Sequence, residues 1–286
     1  MVTEEVDADT RAIISKLGCT VREVTYWDPG VGTEAMAFAR FKNVWTKLRV
    51  MELTEYDRVI LMDTDMLVRH NMDELMDWPL DTRNGPAIAA GSACTCNPNR
   101  IPTYPADWIP ENCPFTRQSA PNCHDQGIIP NQDSPPSHHL LNGGLVIIEP
   151  SQDQVDALAH FIQTEPEKIA SYRFPDQDLL SELYHGRYIP LPWKYNALKK
   201  LPQCHPQVWC DDQVRNVHYI LDKPWITGWP GDARDDEDAR LHQWWWDAYH
   251  ALQSRPEQIG LSAKEWKTYL DVHVNDAPRK PTNDSC

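Results

Sequence analysis

Val59-Ile60-Leu61-Met62-Asp63-Thr64-Asp65-Met66 is the stretch that decides the fold. Its apolar residues run without alternation. A strand from Arg58 to Met62 is predicted, covered on both faces like a central strand of a parallel sheet. Two carboxylates follow at its carboxyl end, where open α/β sheets bind their ligands. In an extended segment, residues i and i+2 point to one side, so Asp63 and Asp65 can approach a single cation. Mg²⁺ and Mn²⁺ seek oxygen and bridge such carboxylates to substrate phosphates. Asp-x-Asp is equally readable as a solvated acidic turn. The apolar strand in front of it brings the metal reading level with that one.

Outward from this stretch, strand and helix patterns alternate through the first half of the chain, which predicts an α/β architecture. Residues 9–17 read as a helix that Asp9 or Thr10 caps and Gly18 closes. Cys19 to Val24 read as a strand. Glu34 to Glu52 read as a helix, with Phe38, Phe41, Trp45, Leu48 and Met51 spaced by three or four. Further strands are predicted at Ala87 to Ala90, Leu145 to Ile148 and Val214 to Ile220, and helices at Ser151 to Gln163 and Asp176 to Tyr184. An acidic run, 232–238, precedes an aromatic helix face of Leu241, Trp244, Trp245 and Ala248.

Residues 93–138 break the pattern, with nine prolines and four cysteines. A stretch that long without regular structure usually has a task. Cys94, Cys96, Cys113 and Cys123, with His124, match no strong zinc spacing. Structural thiols are the first reading; zinc, or a disulfide in an oxidising compartment, are the alternatives.

The 286 residues carry 42 acidic against 27 basic side chains, a net charge of -15. That balance excludes a broad nucleic-acid surface, which needs a basic footprint, and favours anionic ligands that arrive with a bridging cation. No apolar run is long enough for a membrane span. Met1-Val2-Thr3-Glu4-Glu5 lacks the basic and apolar regions of a signal peptide, so a cytoplasmic setting is the default expectation. Twelve tryptophans are many, but packing explains most tryptophans before sugar stacking does.

Two more constellations can carry chemistry. His218 stands near a strand end as a candidate third metal ligand, and Lys223 follows as a point charge for a phosphate oxygen. Asp176-Gln177-Asp178 opens a helix, where capping competes with a sugar-facing role.

Taken together, the segments resemble glycosyltransferase family 8, the group that contains glycogenin and the galactinol synthases. The resemblance rests on Trp45-Thr46-Lys47-Leu48, Tyr56 through Met66, Leu141-Asn142-Gly143-Gly144 through Ser151, Pro175-Asp176-Gln177-Asp178-Leu179-Leu180, and His218-Tyr219 through Lys223-Pro224-Trp225. The Cys- and Pro-rich insert is most similar to the galactinol-synthase-like branch.

The resemblance implies a GT-A type fold, a Rossmann-like mixed sheet flanked by helices. It implies one glycosyltransferase domain over 1–275 carrying the 93–138 insert, with a disordered tail at 276–286. It implies retaining transfer of a hexosyl group from a UDP-sugar donor to an acceptor hydroxyl with Mn²⁺ or Mg²⁺. By position, Asp63, Asp65 and His218 match the metal ligands. Lys47, Asp63, Thr64, Asn142 and Lys223 match positions that hold the donor, and Asn142 lines the donor sugar with Asp176 and Gln177, the candidate catalytic pair.

The chain departs from the family in two places. Its start matches a point after the first strand-helix unit, so an amino-terminal truncation of roughly 30 to 50 residues is expected. Asp222 stands where the family's segment before Lys223 has glycine. Three functions compete. The first is the hexosyltransferase, acting on a polyol or saccharide, with galactose to a polyol favoured over self-glucosylation. The second is a nucleotide-sugar-binding pseudoenzyme. The third is a metal-dependent phosphohydrolase, against which Asn142-Gly143-Gly144 and Lys223-Pro224-Trp225 argue. Oligomeric state is not legible.

Overall fold

A computed structural model describes residues 1–80, 83, 87–230, 238–253 and 260–275. The chain packs as two compact units, Tyr26–His218 and Met1–Thr25 with Tyr219–Cys286.

The larger unit is built on two small sheets. The strands are β1 (Val59–Met62), β2 (Met66–Val68), β3 (Ile88–Ser92), β4 (Leu141–Ile148), β5 (Ile189–Leu191), β6 (Ala197–Leu198) and β7 (Asn216–His218). The first sheet has the order β1-β4-β3-β5 and the second β2-β7-β6. In the first, β4 runs antiparallel to both β1 and β3, while β3 and β5 are parallel. The sheet is therefore mixed.

β1 corrects one expectation. Among the described residues it pairs with β4 alone and stands at the sheet edge, not in the centre of a parallel sheet. Its unbroken apolar run has another cause. Val59 and Leu61 pack on the core around Trp45, Val146 and Leu179. Ile60 and Met62 pack on the opposite core around Leu75, Leu145 and Tyr195. Covering on both faces removes alternation whatever the strand's place in the sheet.

The segment before β1 is also corrected. Ala39–Glu52 winds as a 3₁₀ helix and begins five residues later than the pattern predicts. Trp45, Leu48 and Met51 are buried at intervals of three, the period at which 3₁₀ side chains eclipse. The helices Gln152–Thr164 and Pro175–Leu183 form as expected, the first capped by Ser151. The insert holds only short 3₁₀ turns, such as Pro110–Asn112 and Pro114–Arg117. It is nonetheless docked: Trp108 stacks on Phe174 at 4.8 Å, and Arg173 donates to the Thr103 carbonyl at 2.6 Å.

The smaller unit joins the chain's first residues to its last. Helix Ala8–Lys16 is capped by Asp7, two or three residues before the expected Asp9 or Thr10, because the Asp7 carboxylate accepts the Thr10 N–H at 2.8 Å. Ile13 on that helix packs against Trp246, Trp266 and Leu270 of the helices Ala239–Gln253 and Ala263–His273. The expected strand from Cys19 to Val24 reduces to one parallel bridge between Val2 and Glu23. On Ala239–Gln253 the buried face is Leu241, His242, Trp246 and Tyr249; Trp244 and Trp245 are only half-buried. Nearly all of the acidic run 232–238, and the expected tail 276–286, lie outside the described residues.

Candidate active site

The two sheets meet where the chain turns from β1 into β2, and that turn is Asp63-Thr64-Asp65. Asp63 is fixed by its N–H, which donates to the Gly144 carbonyl at 2.7 Å. Met66 pairs with His218 across the antiparallel β2–β7 ladder. This register brings the imidazole beside both acids. His218 Nε2 lies 3.2 Å from Asp65 Oδ1 and 3.8 Å from Asp63 Oδ2. The ligand atoms of the three residues all fall within 4.8 Å of one another. The acids converge as expected, through a turn rather than along a straight strand. Thr64 is exposed at its tip.

The imidazole's tautomer follows from its other neighbour. His218 Nδ1 is 2.9 Å from Asn196 Oδ1. An amide oxygen only accepts, so Nδ1 donates to it and Nε2 is left facing two carboxylates. A proton on Nε2 or a cation between the three groups answers those negative charges. The Asn196 amide is fixed in turn, donating to Asn142 Oδ1 at 2.8 Å. Asn142 Oδ1 also accepts the Gly144 N–H at 3.1 Å, and the Asn142 amide donates to Gln177 Oε1 at 3.3 Å. A relay of amides therefore ties the metal-ligand candidate His218 to the catalytic candidate Gln177.

Glycine is needed at two points of β4 for space, not for backbone freedom. A Cβ on Gly144 would stand 2.4 Å from His218 Cε1. A Cβ on Gly143 would stand 3.2 Å from Asp176 Oδ2. Asn142-Gly143-Gly144 thus lets the imidazole and the helix Pro175–Leu183 press against the strand.

Lys47 completes the site. Its ammonium lies 2.6 Å from Asp63 Oδ1 and 2.7 Å from Asp176 Oδ2. Burial acts to lower the Lys47 pKa, but the charges of Asp176 and Asp63 outweigh it and hold the amine above its usual value. Burial raises Asp63, with Lys47 and His218 opposing and Asp176 adding to the rise. Asp63, Asp65 and Asp176 set three carboxylates against one ammonium, a deficit that a divalent cation matches. Gln177 adds a further sign of a polar ligand: its Nε2 is buried with no hydrogen-bond partner.

Asp63, Asp65, His218, Lys47, Asn142, Asp176 and Gln177 are therefore gathered. Lys223 lies in the smaller unit, where its ammonium donates to the Tyr219 carbonyl at 2.6 Å. Asn196 was missed by sequence reasoning. It follows Trp193-Lys194-Tyr195 with no motif around it, and only the β6–β7 pairing beside His218 reveals it.

The chain is 28% identical over 275 residues to galactinol synthase 2 of Arabidopsis thaliana, covering 93% of this chain and 76% of that protein. It is 29% identical over 251 residues to galactinol synthase 2 of Solanum lycopersicum, covering 86% and 68%. Among solved structures, the galactosyltransferase LgtC in complex with donor and acceptor sugar analogues aligns with a TM-score of 0.52 at 15% identity, over 92% of this chain and 85% of that one. This likeness shows the GT-A type fold. Among the described residues no helix is long and apolar enough to cross a membrane. The family model for glycosyl transferase family 8 matches residues 2–227, and the chain belongs to that family of glycosyltransferases.

Proposed function

We propose that the chain transfers a hexosyl group from a UDP-sugar to an acceptor hydroxyl with retention, using a divalent cation held by Asp63, Asp65 and His218. The observation that carries this reading is the convergence of His218 Nε2 and the carboxylates of Asp63 and Asp65 within 4.8 Å of one another. Two oxygens and one imidazole nitrogen suit Mn²⁺ or Mg²⁺ and leave positions open for diphosphate oxygens. Bound there, the cation supplies charge stabilisation to the departing diphosphate.

The other roles follow from chemistry. The bond from the sugar's anomeric carbon to the β-phosphate breaks, the acceptor oxygen bonds that carbon on the same face, and the acceptor proton passes to the departing phosphate. Asp176 is the candidate carboxylate for a covalent alternative. Its Oδ2 is held by Lys47, which weakens it as a nucleophile and favours same-face attack. The Gln177 amide and Asn142 orient sugar hydroxyls. By motif, Lys223 takes the leaving phosphates. The similarity to galactinol synthases supports galactose as the sugar and a polyol as the acceptor.

The test is calorimetry of UDP and UDP-galactose with Mn²⁺ and after chelation, followed by UDP release with and without a polyol. Metal-dependent binding with acceptor-dependent UDP release is the expected result. Binding without release in any acceptor would make the chain a nucleotide-sugar-binding pseudoenzyme. UDP release equally fast without acceptor would make it a phosphohydrolase.

A further inference from the structure

A second group of metal-type side chains stands in the larger unit. Cys94, Cys96, Cys113 and His205 place their ligand atoms within 4.8 Å of one another, and three of the four residues are buried. They come from three separate stretches. Cys94 and Cys96 follow β3, Cys113 sits between two 3₁₀ turns of the insert, and His205 closes the helix Leu201–Cys204. All these thiols are unoxidised.

The geometry is hard to read as ordinary thiol packing. Cys96 Sγ lies 3.0 Å and Cys113 Sγ 3.2 Å from the same atom, His205 Nε2. A neutral ring nitrogen offers one proton or one lone pair, so it cannot make two ordinary hydrogen bonds. Two sulfurs aimed at one nitrogen is the pattern of ligands around a shared centre. Cys113 Sγ and Cys94 Sγ are 3.8 Å apart. Zinc–sulfur bonds of about 2.3 Å at tetrahedral angles put neighbouring sulfurs about 3.8 Å apart as well. A disulfide would need those sulfurs at about 2.0 Å.

We propose that Cys94, Cys96, Cys113 and His205 bind one zinc ion that fastens the 93–138 insert to the β3 end and to the helix Leu201–Cys204. Thiolate sulfur selects zinc over the oxygen-seeking ions suited to the Asp63 site. Four protein ligands fill a tetrahedral shell, so this centre holds structure and does no chemistry. The insert, made of short turns, gains a cross-link that regular hydrogen bonding does not give it. Cys204 ends the helix beside His205 and stays outside the four-residue group.

Elemental analysis of the purified full chain tests this. About one zinc per chain is expected, falling about fivefold or more in Cys113→Ser and in His205→Ala but not in Cys204→Ser or Asp63→Asn. Because a cysteine variant can fail to fold, the wild-type chain gives a second reading. Exchange into cobalt should produce an intense thiolate-to-cobalt charge-transfer band. Zinc-free chain with free thiols overturns the proposal. So does a Cys94–Cys113 disulfide found by mass spectrometry, or zinc that disappears with Asp63→Asn and survives Cys113→Ser.

Discussion

Among its described residues the larger unit holds two clusters of ligand-type side chains, and they differ in nearly every property that matters. Around Asp63 the donors are two carboxylates and one imidazole, set on a turn between sheets, with Asp63 26% and His218 5% exposed. Around Cys113 they are three sulfurs and one imidazole, three of the four residues buried among the turns of the insert. A cation at the first would have three protein ligands and room for substrate oxygens. One at the second would have four and no such room. A carboxylate turn backed by a lysine and an orphaned amide is a place for exchange; a closed thiolate cage is a fastener. His218 belongs to the first because Asn196 holds Nδ1 and so turns Nε2 toward the carboxylates.

The largest expected effect breaks the comparison directly. Asp63→Asn should lower turnover by about 10² to 10³-fold, roughly 3–4 kcal/mol of transition-state stabilisation, while leaving the zinc content of the chain unchanged. Steady-state assays with UDP-galactose and elemental analysis on one preparation read both. Loss of both together would mean that the two clusters are one linked metal system.

The contrast also shows what the sequence could tell. The gathering around Asp63 was legible because its side chains stand at the end of an apolar strand and inside short contiguous segments. Asp63, Asp65, Asn142, Asp176, Gln177 and His218 all come together as those segments imply. The edge position of β1 was not legible, since an apolar run records covered faces and not neighbours. Asn196 was hidden because a lone amide carries no spacing. The thiol cluster was half legible. Cys94, Cys96 and Cys113 stood out, but Cys123 and His124 were grouped with them. Cys123 instead points its thiol at the Val208 carbonyl and His124 packs on Trp193, while His205 arrives from far along the chain. No local pattern announces a ligand from another segment.

pH sharpens the comparison next. Burial lifts Asp178, at the start of the helix that carries Asp176 and Gln177, to about 6, against the lowering effect of two backbone N–H groups, those of Phe174 and Arg173. The folded chain therefore holds this proton more tightly than the unfolded chain, whose carboxyl has the usual 3.8. Its contribution to stability falls as pH rises through that window and is lost above it. In Asp178→Asn the stability gap, variant over wild type, should widen by roughly 2–3 kcal/mol between the two pKa values and stay level above them. Denaturant titrations across that window measure it. The thiolate cage responds in the opposite sense, since protons compete with zinc for sulfur as pH falls.

Gly144→Ala tests whether space or charge sets the donor site. The added methyl would meet His218 Cε1 at 2.4 Å and Met66 Cε at 2.9 Å. An overpacking cost of roughly 1–3 kcal/mol is expected in unfolding midpoints, with weaker Mn²⁺ binding and unaltered zinc. Unchanged Mn²⁺ binding would show that the imidazole is not held by this contact.

The smallest effect is the most specific. Asn196 touches no ligand position itself; it accepts the His218 Nδ1 proton and donates to Asn142. Asn196→Ala removes the acceptor that fixes the tautomer, and Mn²⁺ affinity should drop about tenfold, the scale typical of a lost partner behind a metal-bound histidine. Asn196→Asp keeps an oxygen for Nδ1 but loses the donor to Asn142. It should therefore recover Mn²⁺ affinity while leaving the amide relay to Gln177 broken, so that turnover stays low when metal binding is restored. If the aspartate recovers both, the relay through Asn142 carries nothing and Asn196 serves the metal alone. If it recovers neither, His218 is oriented by Gly144 and the β2–β7 register, and the amide only fills space behind it.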